Sequence, residues 1–190
     1  MTQETRRRRA DAQRNVEALI EAARTVFDTS GVDAPAKEIT DLAGVGVGTL
    51  YRHFPQRADL VKAVVRTGID TVADAGPELS AGHPPARALA LWIDRFVELL
   101  ETKRGLASAL HSGDPAFEGL PGYFMERLAP TLTALLDAAA ADGAIRGGVL
   151  GAEDLLYAIA LLCRPVPGRE PGHGRQLVAV LVDGLRYGAG

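Results

Sequence analysis

The chain has 190 residues, of which 47% are hydrophobic, 24% charged and 5% aromatic, a balance that excludes extensive disorder and favours helix over sheet. The net charge of −3 conceals an asymmetry: residues 1–66 hold eleven Lys or Arg against nine acids, +2, and the rest ten against fifteen, −5. A basic front and an acidic back suit a polyanion-binding module on a carrier domain, although charge also segregates on ordinary solvated surfaces.

Residues 1–13 read as a flexible basic arm, and Met1 to Arg14 has no apolar segment behind its arginines, unlike a secretory signal. Arg6 to Arg9 either reach phosphates or the minor groove, or form a solvated tail. Asn15 is an N-cap for a first helix whose apolar face is Val16, Leu19, Ile20, Ala23 and Phe27, with Gly31 as its stop. Pro35 suits the first turn of a second, short helix with Ile39, Leu42 and Ala43 on its apolar face. Gly44, Val45 and Gly46 permit a tight reversal, and a third helix runs from about Val47 to Phe54, limited by Pro55. Leu50 and Phe54, four apart, face the core, which turns Thr49, Arg52 and His53 elsewhere. A fourth helix, about Arg57 to Asp74, carries Leu60, Val61, Val64, Val65 and Val72.

Gly76, Pro77, Gly82, Pro84 and Pro85 are a predicted boundary, giving a first domain over 14–75 and a second over 76–190. In the second, Leu89, Trp92, Ile93, Phe96, Leu99 and Leu100 mark an amphipathic helix, and a short helical piece is expected at Gly105 to His111. A long helix follows over Tyr123 to Ala141, then two apolar helices over Leu155–Cys163 and Gln176–Tyr187, with a Pro- and Gly-rich loop over Arg164 to Gly174 between them. The fold class is therefore all-α.

Helix, glycine turn, helix is the helix-turn-helix pattern, whose second helix enters the major groove of double-stranded DNA. Gly46 and Gly48 leave the start of the third helix without bulk, so that backbone donors at its positive end can approach phosphate. Arg52 and His53 supply further donors, and Tyr51 a hydroxyl on a rigid ring.

The stretch from Lys37 to Leu60, KEITDLAGVGVGTLYRHFPQRADL, closely resembles the DNA-binding region of the TetR family of regulators. Ile39, Ala43, Gly44 and Val45 match its first part, Thr49 to Phe54 its second, and Pro55, Arg57 and Leu60 its third; with the first helix the likeness covers about residues 14–66. It implies an N-terminal three-helix helix-turn-helix domain followed by a helical ligand-binding and dimerisation domain. It further implies that Val47, Gly48 and Thr49 face the groove, that Tyr51 and His53 contact backbone or bases, and that Lys37 and Arg57 contact phosphates. Three positions depart from the family: Thr40 stands in place of alanine and needs a local hydrogen bond or looser packing, Ala34 and Pro35 replace a Ser or Thr cap, and Gln56 replaces a small polar N-cap.

Trp92, Phe96, Tyr123, Phe124 and Met125, with Arg95, His111 and Arg127 as polar anchors, either line a cavity for a small-molecule effector or pack an ordinary core. The likeness implies homodimerisation through the last two helices; burial within one chain is the alternative. The resulting expectation is a cytoplasmic, ligand-responsive regulator, most simply a repressor on a palindromic operator, with no cofactor. The lone Cys163 and four scattered histidines show no metal-ligand spacing, no apolar run reaches membrane-spanning length, and no catalytic motif such as GxSxG or a Walker loop occurs, so no enzyme is expected.

Overall fold

A computed structural model describes residues 3–102, 115–164, 166–170 and 172–186. Among them are eight α-helices and no strand: α1 (Gln3–Ser30), α2 (Ala36–Ala43), α3 (Val47–His53), α4 (Arg57–Gly82), α5 (Pro85–Thr102), α6 (Leu120–Ala141), α7 (Ala152–Leu162) and α8 (His173–Arg186), with a 3-10 turn at Pro115–Phe117. No helix of the described residues is long and apolar enough to cross a membrane. Residues 3–67 with 115–120 make one compact unit, and 68–102 with 121–186 a second.

In the first unit α1 packs on α2 and α2 on α3. Leu19, Ala23 and Phe27 of α1 meet a core completed by Ile39, Leu50, Leu60 and Val64, all buried. Two expectations are corrected here. The first helix begins at Gln3 rather than Asn15, so residues 3–13 extend it instead of forming a flexible arm. On α2 the buried pair is Ile39 and Thr40, while Leu42 is 56% exposed.

Thr40, at 1% exposure, donates its hydroxyl to the Lys37 carbonyl at 3.1 Å, the local bond that a buried hydroxyl in place of a methyl requires. Pro35 gives α2 no side-chain cap. At the start of α4 the Gln56 side chain is not needed, because Asp59 three residues on accepts from the Gln56 backbone N–H at 3.0 Å, the returning half of a capping box.

The two units divide inside α4, between residues 67 and 68 rather than at 76, and the helix runs on to Gly82 through Gly76 and Pro77. Pro77 cannot donate to the carbonyl four residues back and its ring crowds it. Inside the second unit two side chains satisfy the carbonyls at this place: Thr131 Oγ1 donates to Ala73 O at 3.3 Å, and Trp92 Nε1 to Val72 O at 2.8 Å. Tyr123 Oη donates to Asp70 at 2.6 Å, and Arg127 bridges Asp70 and Asp74 at 2.7 and 2.8 Å, so α6 holds this half of α4 with hydrogen bonds as well as apolar contact. In the same unit α5 packs on α7, and α7 on α8. The piece expected at Gly105 to His111 and the end of the last helix at Tyr187 lie outside the described residues.

Candidate nucleic-acid interface

The reversal between α2 and α3 is made by one glycine. Gly44 takes φ 68°, ψ 29°, the left-handed region where a side chain is penalised, and the Val45 N–H closes the turn on the Thr40 carbonyl at 3.1 Å. Gly46, expected to share that work, is extended at φ −76°, ψ 150°, and its carbonyl accepts from the Thr49 N–H at 2.8 Å to start α3. A Cβ built at Gly46 or Gly48 meets nothing within 4 Å. Neither backbone conformation nor internal packing therefore requires glycine at these two positions, and what they leave bare is external ground.

Burial of Leu50 and Phe54 sets the roll of α3. It turns Val47 (41% exposed) and Tyr51 (53% exposed) outward together with Arg52, and leaves Thr49 and His53 half-buried. Gly46 and Gly48 are exposed on the same short stretch. Lys37, exposed on α2, pairs with Asp41 at 2.7 Å. An exposed pair one turn apart contributes only about 0.3–0.5 kcal/mol, so the ammonium exchanges readily onto an external anion. The structure thus brings Lys37, Val47, Gly48, Tyr51 and Arg52 to the exterior of one helix-turn-helix, with the exposed Leu42 beside the turn. Leu42 was hidden from sequence reasoning because its spacing from Ile39 fits a buried face; only the roll of α2 separates the two.

Arg57 behaves otherwise than the phosphate contact that the resemblance implies. Its Nε donates to the Val32 carbonyl at 2.7 Å, its Nη2 to the carbonyls of Val32 and Ala34, and its guanidinium lies 5.1 Å from the centre of the Phe27 ring. Burial pulls its pKa below the ordinary arginine value, with Asp33 and Tyr51 opposing the shift. The side chain ties the loop before α2 to the start of α4, and so positions the helix-turn-helix from within.

In the second unit Trp92 and Phe96 are fully buried, with ring centres 5.9 Å apart, and Phe96 lies 5.5 Å from Phe124, which is half-buried like Tyr123. Arg95, expected as an anchor, is exposed, and Arg127 is engaged by Asp70 and Asp74, whose hydrogen bonds hold its pKa above the ordinary value. His111 lies outside the described residues. Met125 borders an open cleft of about 700 Å³ with Glu126, Glu153 and Asp154, a feature no periodicity announces because its walls come from α6 and the start of α7. Along the last two helices Tyr157 and Leu161, then Leu177 and Val180, are exposed, Leu161 at 62% and Val180 at 71%.

Comparison with known proteins agrees with this geometry. Residues 19–64 match the profile of bacterial regulatory proteins of the tetR family, and residues 84–187 that of the C-terminal domain of SbtR-like transcriptional regulators. The crystal structure of a TetR transcriptional regulator from Streptomyces coelicolor is 35% identical with TM-score 0.71, over 90% of this chain and 98% of that one. That of a TetR transcription regulatory protein from Mycobacterium vanbaalenii is 31% identical with TM-score 0.71, over 94% and 98%. An HTH-type transcriptional regulator of Staphylococcus aureus is 38% identical over 122 residues, 63% of this chain; the match spans 66% of that relative's length.

Proposed function

The chain belongs to the TetR family of transcriptional regulators, a DNA-binding protein and not an enzyme, and from this we propose that it is a homodimeric, ligand-responsive repressor of a palindromic operator, acting in the cytoplasm. The observation that carries the reading is the outward face of α3, where Val47, Tyr51 and Arg52 are exposed beside Gly46 and Gly48, whose open surroundings no described residue fills. A major groove fills them, with Thr49 and His53 contributing from the edge of the face and Lys37 neutralising a phosphate from α2.

Homodimerisation is supported by the exposed apolar side chains Tyr157, Leu161, Leu177 and Val180, which a lone chain leaves in water. Two copies related by a two-fold axis bury the same patch on each side, and that symmetry asks for matching half-sites in the operator. The aromatic group Trp92, Phe96 and Phe124, with Tyr123 and Arg127 as polar neighbours, is the effector region. An effector releases DNA only to the extent that it binds the DNA-incompetent arrangement more tightly.

The reading is tested by a gel shift of the full chain on DNA upstream of its own gene, with sedimentation to establish the oligomer. Specific retardation by a dimer is expected; a folded protein that binds no DNA at low salt would overturn it.

A further inference from the structure

Among the described residues of the first unit three large apolar side chains are exposed, Leu42, Val47 and Tyr51, and all fall within residues 42–51, the helix-turn-helix itself. Apolar surface gathered at one place is normally buried against a partner. Val47 and Tyr51, four apart on α3, share a face. Val47 sits between Gly46 and Gly48, which carry no side chain, and Thr49 is half-buried. The branched methyls of Val47 are therefore the projecting group at the start of α3. No Lys, Arg, Asn or Gln occurs from Gly44 to Tyr51, while Lys37 and Arg52 supply positive charge to either side in sequence, both exposed. An apolar centre with cations about it suits a groove whose rims are phosphate and whose floor, at one point, is apolar.

On the major-groove edges of the four base pairs the one projecting apolar group is the C5-methyl of thymine; apart from the bare C5–H of cytosine, the features read there are hydrogen-bond donors or acceptors. Valine placed against donors or acceptors would strip their water and return no hydrogen bond. Resting on the DNA-binding reading above, we propose that Val47 selects thymine in each operator half-site through its C5-methyl, with the Tyr51 ring continuing the apolar surface on the same face. Base discrimination at this position then comes from methyl burial rather than from the bidentate hydrogen bonds of Arg or Asn.

The test uses the full chain and a duplex selected by it from a random DNA pool. Each thymine of the selected half-site is replaced singly by deoxyuridine, which removes the methyl and nothing else, and affinities are measured for the unaltered protein and for Val47→Ala. One replacement is expected to weaken the unaltered protein about fourfold, the worth of one buried methyl-sized group. The same replacement should leave Val47→Ala nearly unaffected. Because Val47 is exposed, Val47→Ala should fold normally, which a thermal melt verifies; Val47→Thr, which keeps one methyl, should retain part of the sensitivity. The proposal is overturned if no thymine is sensitive, if the sensitive thymine responds equally in Val47→Ala, or if the selected half-site lacks thymine, results that leave the DNA-binding reading intact. Failure to select any specific duplex overturns both.

Discussion

Thr131 donates its hydroxyl to the carbonyl of Ala73 at 3.3 Å, the acceptor that Pro77 leaves without a backbone donor. A proline in the middle of α4 is thus accommodated by a side chain from α6, 58 residues away in sequence. Thr131→Val, nearly the same shape, should lower stability by about 1 kcal/mol in denaturant unfolding, since the buried carbonyl loses its partner. Thr131→Ser should retain most of it. The same threonine sits against Gly76: a Cβ there would overlap Thr131 Cγ2. Gly76→Ala should therefore cost roughly 1–3 kcal/mol as overpacking, and visibly less in a Thr131→Ser background, where the offending methyl is gone. Additive costs would mean that the two residues do not meet.

Gly48→Ala should move folding and binding in opposite directions. Within α3 alanine is favoured over glycine by about 0.5–1 kcal/mol, and a Cβ at this position has open space. The thermal midpoint should rise slightly while operator affinity falls about tenfold, roughly 1.4 kcal/mol, because the added methyl occupies ground reserved for DNA. A stabilised variant with unchanged affinity would show that Gly48 does not approach the duplex.

Arg57→Met separates a positioning role from a phosphate contact. Losing the bonds to Val32 and Ala34 should destabilise the protein by about 2 kcal/mol, within the range for hydrogen bonds to a charged group. Operator affinity should drop through misplacement of the helix-turn-helix, yet the slope of log affinity against log salt should stay the same. A slope reduced by about one would restore Arg57 to the phosphate backbone.

Leu161→Arg probes the exposed patch on the last helices. At 62% exposure the side chain contributes little to the fold of one chain, so unfolding measured on the monomer should change by no more than about 0.5 kcal/mol. Sedimentation velocity should show a shift from dimer to monomer, accompanied by weaker binding to a two-half-site duplex. A dimer of undiminished strength would move the interface elsewhere.

The helix-turn-helix was legible because its information is local. Periodicity places Leu19, Ala23, Phe27, Leu50 and Phe54 on inward faces, and the run from Thr49 to Phe54 marks the family; the structure buries all five of these apolar residues. The extent of the helices was less legible. Gly76 and Pro77 carry strong breaking signals, yet α4 continues through them, with Thr131, distant in sequence, donating to the Ala73 carbonyl that Pro77 leaves without a donor.

By itself the sequence determined the all-helical class, the family and the helix-turn-helix segment, each encoded in spacings of four residues or in one contiguous run. Only the tertiary structure decided how individual side chains are used within that plan. It turns Leu42 out and Thr40 in, commits Arg57 to carbonyls 23 and 25 residues away, and engages Arg127 with Asp70 and Asp74. The physical reason is that a donor or an apolar group is available to a partner only if no neighbour within the fold has already taken it, and those neighbours come from other helices.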